Sequence, residues 1–288
     1  MMIPAFKKDE ELVQEMDDLL PDDQHVCVWW LGQSGFLIQH AGVRILADPY
    51  LSDSLTKKYE NTPMPHIRMS ERVIKPELLQ GIQIISSSHN HTDHLDAETL
   101  LPILKNNPQA AFIIPEANRA FVCERLGCPL DFPFGLNDGE SIQVAGITIH
   151  GMAAKHNEIE RDVQGRCLYM GYVFSNDGFS IYHSGDTLLF DEMIPLLSPL
   201  TIDIALLPIN GNKPERKVAG NLDAREAVLL GKAIGAKRIV PCHYDMFTFN
   251  TADVSIFAEL ARANHQPFEV LPPGGHFKYP IKFPLISP

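Results

Sequence analysis

Between residues 89 and 94 the chain reads His89-Asn90-His91-Thr92-Asp93-His94, directly after an apolar, strand-like run at 82–85. Three imidazoles and a carboxylate therefore stand at the mouth of a strand. Imidazole and carboxylate together suit Zn, Mn or Fe, and this density is what a two-metal site needs. With 12 histidines in 288 residues, three within six positions are not the pattern of a polar loop filled by chance. The fold must deliver this segment to a point where more distant ligands converge. His89 and His91, two apart, share a face in extended backbone. Asp93 and His94 arrive as the chain turns into a helix near Asp96, where they can face a neighbouring metal.

Three further ligand groups follow: Lys155-His156, Tyr182-His183-Ser184-Gly185-Asp186-Thr187 and Pro241-Cys242-His243-Tyr244. Each comes after an apolar strand candidate, at 147–154, 179–182 and 238–241. An anionic Asp186 between two cations would offset their repulsion. Cys242, next to His243, is expected on the opposite strand face as a packed thiol.

Four ligand clusters at four strand ends, in this order, resemble the metallo-β-lactamase superfamily. Within it the chain is similar to the L-ascorbate-6-phosphate lactonase family of metal-dependent hydrolases. The matching stretches are Trp29-Trp30-Leu31-Gly32, the run from Ser88 to Asp96, Tyr182-His183-Ser184-Gly185-Asp186, Ile239-Val240-Pro241-Cys242-His243 and Gly274-Gly275-His276-Phe277, spanning nearly the whole chain. The resemblance implies an αβ/βα sandwich, two packed mixed sheets with helices on the outer faces. It implies that His89, His91 and His156 hold one divalent metal and Asp93, His94 and His243 a second, with Asp186 bridging. It leans toward manganese within the family and zinc across the superfamily, and iron also fits the ligand set. Asp48 is implied as a carboxylate orienting a ligand histidine. His183, three residues before Asp186, is expected beside a ligand rather than on a metal. The implied chemistry is attack by a metal-bound hydroxide, oriented by Asp93, on a lactone of a phosphorylated or free sugar acid. The stretch from Ser88 to Asp96 looks equally like the N-acylphosphatidylethanolamine phospholipase D branch, so a phosphodiesterase, of that or the cyclic-nucleotide type, is the alternative. A homo-oligomer is implied as well.

Composition sets the outer bounds. At 45% hydrophobic, 288 residues can bury a substantial core, read here as one domain spanning 1–288 with an N-terminal helix at about 7–20. No apolar run approaches the ~18 residues a spanning helix needs. The early acidic residues Asp9, Glu10 and Glu11 are unlike a signal peptide. Five cysteines without framework spacing read as reduced thiols and a cytoplasmic home. A formal charge of −12 argues against nucleic-acid partners, whose binding relies on basic surface. It leaves room for a small anionic substrate, because divalent metals dominate the field locally.

Along the chain, strands are expected at 25–30, 36–39 and 43–47, and a long loop at 53–76 that covers the site. Strand and helix then alternate: strands at 82–86 and 110–114, helices at about 96–105 and 116–126, and hairpins around Gly146 and Asn176-Asp177-Gly178. A strand at 202–208, a helix at 223–234, a strand at 238–241 and a helix at 251–263 complete the pattern.

Other chemistries fail on spacing. Gly32-Gln33-Ser34-Gly35 is followed by Phe36, so it is no G-x-S-x-G elbow, and it is too short for a phosphate loop; a tight turn suffices. A two-iron oxidoreductase would lack a flavin domain in this length. A non-catalytic metal-binding scaffold should have lost ligands, and all seven positions are filled. Two basic groups, Lys155, Arg161 and Arg166 around His156 and Lys213, Arg216 and Lys217 farther on, are candidate clamps for an anionic substrate. Arg161, Arg166 and Lys213 are the strongest candidates among them, the arginines favoured by their bidentate fork. His25, His40, His66, His150 and His265 read as surface or packed residues, and His276 as part of a turn.

Overall fold

A computed structural model of the chain describes residues 2–216 and 220–281. The first part runs through α1 (Asp9–Asp18), β1 (His25–Gly32), β2 (Gly35–His40), β3 (Val43–Ala47), α2 (Ser54–Tyr59), β4 (Ile84–Ser86), α3 (Ala97–Asn106), β5 (Ala111–Pro115), α4 (Arg119–Leu126) and β6 (Phe134–Leu136). The second part adds β7 (Ser141–Val144), β8 (Ile147–Ala153), β9 (Met170–Ser175), β10 (Ser180–His183), α5 (Met193–Leu197), β11 (Ile204–Pro208), α6 (Ala224–Ala233), β12 (Arg238–Cys242) and α7 (Val254–Ala263). The last strand, β13 (His276–Pro280), returns to pair antiparallel with β1.

Two mixed sheets result, in the orders β13-β1-β2-β3-β4-β5-β6 and β12-β11-β10-β9-β8-β7. Hairpins make the antiparallel part of each sheet apart from the β13-β1 pair, and helical crossovers make the parallel part, β3-β4-β5-β6 in one and β10-β11-β12 in the other. Strand β1 shows how the layers join. Val26, Val28 and Trp30 on one face enter the core shared with the second sheet. Cys27, Trp29 and Leu31 on the other pack with Leu12 and Met16 of α1 and Leu100 and Ile103 of α3. Because both faces are buried, the strand reads as a continuous apolar run instead of an alternating one.

The helices are stopped and started by local chemistry. Asp223 and Glu226 form a reciprocal capping box at α6, and Asp96 caps α3 by accepting from the Thr99 backbone N–H. The Asp96 cap matters most here, because it fixes the point where the histidine-rich loop becomes helix.

The expected sheets-with-helices architecture is thus present, with three local differences. Residues 53–76 are not all loop: 54–59 form the short helix α2, too brief to show an apolar period. Strands β6 and β13 were not anticipated; β13 is an edge strand with partly exposed residues, so its sequence lacks a clear apolar face. His276 opens that strand, stacks on Trp29 with centroids 5.0 Å apart, and lies 3.1 Å from Glu15. Cys242 is buried in the core as expected, and no disulfide forms among the described residues. No helix among them is long and apolar enough to cross a membrane.

Candidate metal centre

Every ligand candidate sits just beyond the C-terminal end of a strand. The loop after β4 carries His89, His91, Asp93 and His94 from the first sheet. His156 after β8, Asp186 after β10 and His243 after β12 come from the second. The sheets thus face one another across the site, and their ligand atoms form three linked sets: His89, His91 and His156; His89, His94 and Asp186; Asp93, His94 and His243. Within each set the atoms lie within 4.8 Å of one another. Asp186 spans the outer two, with Oδ1 3.3 Å from His94 Nε2 and Oδ2 3.4 Å from His243 Nε2 and 3.9 Å from His156 Nε2. Asp93 Oδ2 is 3.6 Å from both His94 Nε2 and His243 Nε2.

The imidazoles are held from behind. Asp48, fully buried at the end of β3, accepts from His94 Nδ1 at 2.6 Å and from the Ser88 backbone N–H at 2.8 Å. The Ser88 hydroxyl also donates to Asp48, which leaves its oxygen to accept from His89 Nδ1, 3.0 Å away. One carboxylate therefore orients His94 directly and His89 through a serine. His156 Nδ1 donates to the Gly220 carbonyl at 2.9 Å. Each arrangement turns Nε2 toward the centre, the tautomer a metal-binding imidazole needs.

The centre has the character of a cation site. His89 Nε2, His94 Nε2 and Asp186 Oδ1 are buried with no hydrogen-bond partner. Orphaned buried atoms are costly, so three converging at one point call for a partner the protein does not supply. Burial, aided by neighbouring His94 and His91, holds the His89 pKa well below the usual 6.5 and keeps its ring neutral. Burial also opposes charge on His94, yet Asp186, Asp93 and Asp48 raise its pKa well above 6.5. Against its own burial, Asp186 is drawn well below 3.8 by His243 and His94. The pit thus favours positive charge at its heart, and the donor set of imidazoles and carboxylates fits divalent Zn, Mn or Fe.

Backbone strain gathers at the same place. Gln33, Asp48 and His243 all take left-handed φ, at 50°, 42° and 62°. Such conformations cost of order 1–3 kcal/mol each and persist where surroundings over-determine them. Gly185 is obligatory for another reason: with φ at 60°, a Cβ there would lie 2.6 Å from the Met170 carbonyl and 2.7 Å from Ser88 Cβ. Only glycine lets the Asp186 loop pack this closely against the residue that steadies His89.

A family model described as the beta-lactamase superfamily domain matches residues 43–244, which contain all seven ligand candidates. The chain belongs to that superfamily. Among curated relatives, a UPF0173 metal-dependent hydrolase of Methanobrevibacter smithii is 31% identical over 259 residues, 87% of this chain and 95% of the relative. Another, from Caldivirga maquilingensis, is 28% identical over 256 residues, 88% of this chain and 98% of the relative. The chain is a UPF0173-type metal-dependent hydrolase of the metallo-β-lactamase superfamily. Solved structures share the fold: Igni18, a metallo hydrolase of Ignicoccus hospitalis, at TM-score 0.66 and 24% identity covers 90% of this chain and 100% of its own. The isothiocyanate hydrolase from Delia radicum gut bacteria, at TM-score 0.69 and 19% identity, covers 88% and 99%.

Above the hydrolase centre opens a cavity of about 510 Å³. His91, Asp93, His156, Asp186 and His243 form its floor, and Leu55, Tyr59, Met64, His66, Phe247 and Phe249 give it an aromatic, apolar wall. The 53–76 segment does reach the site, as expected, through α2 and His66. That histidine stacks on Tyr59 at 4.3 Å and meets Phe249 edge-on at 4.5 Å, so it is a wall residue and not merely a packed one.

Among the described residues, the expected anion clamp of Arg161, Arg166 and Lys213 does not line the cavity. Arg161 donates to both Asp138 carboxylate oxygens, at 2.9 and 2.7 Å, and to the Gly165 carbonyl. Arg166 donates to Asp162 Oδ2 at 2.6 Å and faces Glu116 at 3.5 Å. Lys213 is exposed in a turn and Lys217 falls outside the described residues. Asp138 satisfies Arg161 and the loop's own Asp162 satisfies Arg166, and among the described residues the cations lining the cavity are Lys58 and Arg125 instead. Arg125 is itself committed to the Asn90 and Leu95 carbonyls, at 2.7 and 3.0 Å. His183 stands behind the site: its Nε2 donates to the Ser34 carbonyl at 2.8 Å in the β1–β2 turn, and its Nδ1 accepts the Gly185 N–H at 3.4 Å, one residue before Asp186.

That turn holds the residue the sequence did not reveal. Gln33 is buried, and its Nε2 donates to Asp93 Oδ2 at 2.8 Å and lies 3.1 Å from His243 Nε2. The hint in the sequence is an amide in the turn between two largely apolar strands. Tyr169 also escaped notice; its ring packs 5.2 Å from both His89 and His156.

Proposed function

We propose that this hydrolase opens lactones, using two divalent cations, and that it does not require a phosphate on the substrate. The supporting observation is the cavity itself: an aromatic and aliphatic wall faces the His/Asp floor, while the arginines best suited to grip a phosphate are paired elsewhere. Cations in the three linked ligand sets would act as Lewis acids and lower the pKa of a coordinated water from 15.7 toward ~7.

The chain's own residues supply the rest. Tyr59, His66, Phe247 and Phe249 shield the apolar face of a ring and exclude water from one side of the reacting ester. Asp93 sits at the cavity floor with Oδ2 tied to Gln33, so it is fixed in place to orient a nucleophile. Ring opening of an ester releases an alkoxide, and an Asp93 oxygen is positioned to hold the proton that this oxygen needs. Asp48, through His94 and Ser88, keeps the floor rigid during the change in charge.

The alternative is phosphodiester cleavage, which the same floor can support; Lys58 and Arg125 at the cavity are what favours it. The deciding assay uses protein reconstituted separately with Mn, Zn and Fe. Neutral lactones, a phosphorylated sugar lactone, bis-aryl phosphodiesters and cyclic nucleotides are compared. Turnover of neutral lactones, abolished by chelation and restored by metal, is expected. Turnover of diesters alone would remove the lactonase reading.

A further inference from the structure

In the cavity wall, His66 is held more firmly than a loop histidine needs to be. The chain at 67–69 pairs with 246–248, just beyond the ligand candidate His243. The Thr248 N–H donates to the Ile67 carbonyl at 3.0 Å and the Met69 N–H to the Met246 carbonyl at 2.8 Å, with Arg68 bridged to Phe247. From α2, the Thr56 hydroxyl donates to the His66 carbonyl at 2.7 Å, and the Tyr59 ring stacks on the imidazole. Phe247 and Phe249 meet that ring edge-on, with centroids 5.0 and 4.5 Å away. Backbone pairing and three aromatic rings fix both the place and the plane of the imidazole.

Its two nitrogens are not equivalent. Nδ1 lies 3.1 Å from the Met64 carbonyl, which can only accept, so Nδ1 carries the proton of the neutral ring. Nε2 is left with its lone pair. Among the described residues it meets no hydrogen-bond partner, yet it is not sealed from solvent as His89 Nε2 and His94 Nε2 are. His66 lines the same cavity as Asp93. Burial, aided by the charge of Lys58, lowers the His66 pKa from 6.5, while the Met64 bond and the Asp93 charge oppose that change. Lys58 from α2 and Asp93 from the floor are the charges that reach the ring; residues 246–249 bring none. At pH 7 the ring is neutral, with a free acceptor.

Ester hydrolysis leaves a proton behind. A lactone and water give a hydroxy acid, which is ionised at neutral pH, and a diester gives a monoester whose second ionisation lies at about 6. Asp93 can return one proton to the leaving oxygen, but the proton of the new acid must still leave a centre whose ligands are largely buried. We propose that His66 is the proton shuttle of turnover, its Nε2 taking up that proton in the cavity and delivering it to solvent. The O–H bond of the acid breaks as the Nε2–H bond forms. The imidazolium then passes the proton to water or a buffer base and returns to its neutral tautomer, so nothing else is consumed. An imidazole whose pKa lies near the working pH suits both steps. The role belongs to ester hydrolysis in general, and stands whether the ester is a lactone or a diester.

Two measurements test it. In the metal-free protein, nitrogen-edited NMR should show His66, assigned by the signal lost in His66→Gln, as the Nδ1–H tautomer at pH 7, titrating below 6.5. The opposite tautomer, or a charged ring at pH 7, overturns the proposal. In the metal-loaded enzyme and dilute buffer, His66→Gln should lower kcat by roughly a hundredfold, the low end for a positioned proton carrier. The ratio kcat/KM should hold, because it covers no step after the ester is cleaved. Raising the concentration of a bulky morpholine buffer should restore kcat in the variant and leave wild type nearly unchanged. An unaltered kcat in dilute buffer, or a joint fall of kcat and kcat/KM without buffer rescue, leaves His66 a wall residue only. Metal content and melting temperature confirm a folded centre, and His66→Asn replaces the glutamine variant if that one does not fold. The substrate panel judges the lactonase reading separately, and the tautomer is read without any turnover.

Discussion

Two loops of this hydrolase look alike in sequence and are opposites in structure. Residues 89–94 and 157–166 each lie at the end of an apolar strand, the second just past the ligand candidate His156, and each are dense in ionisable groups. The first is drawn into a pit where His89, His94 and Asp186 keep buried atoms without partners. The second pairs within its own neighbourhood: Arg161 with Asp138 and Arg166 with Asp162, at a surface where solvent reaches both ends. Unmet bonding capacity under burial, and not the density of charge, separates the loop that binds from the loop that merely folds. A surface pair is worth about 0–1 kcal/mol, whereas a buried unmatched group costs about 1–3 kcal/mol or more and invites a ligand.

Breaking the comparison at its strongest point means removing a shared ligand. Asp186→Ala should abolish metal retention, measured by emission spectroscopy, and lower hydrolysis by more than the roughly 10–100-fold that loss of an orienting partner costs. Retained metal and activity in that variant would contradict the placement of Asp186 between the two outer sets. One step out, Asp48→Asn keeps the shape but weakens the grip on His94 and, through Ser88, on His89. A loss of about 10–100-fold in metal affinity is expected, read by competition with a chelator. At the weak end, Arg161→Ala and Arg166→Ala should leave kcat/KM on any substrate within about twofold and cost no more than ~1 kcal/mol of stability. A selective loss on phosphorylated substrates would restore the clamp and erase the contrast between the loops.

How far the sequence could carry this reading follows from where each signal resides. The seven ligand candidates were legible because each sits beside an apolar strand, and strand ends are where α/β layers collect polar side chains. Gln33 was not, since its meaning depends on His243, 210 positions away, and a turn glutamine carries no local mark. The arginines misled for the same reason in reverse: Arg161 looks free until Asp138, 23 residues earlier, closes on it. Elements with strong period or caps, such as α3 and α6, fall where the sequence puts them. The six residues of α2 and the half-exposed edge of β13 owe their form to what they pack against, which no window of sequence contains.

The division of the ligands between the two sheets bears on how the molecule comes into being. His89, His91 and His156 are all present once residue 156 has left the ribosome, but the set containing His243 must wait for most of the remaining chain. The two halves of the centre thus become available in order, the second only after β12 has joined its sheet. Whatever occupies the finished site favours the docked sheets over every looser arrangement, by about 2.7 kcal/mol when supplied at a hundred times its dissociation constant. The centre is then a latch as well as a workplace: the supply of its ions during synthesis helps decide how many chains reach the closed form.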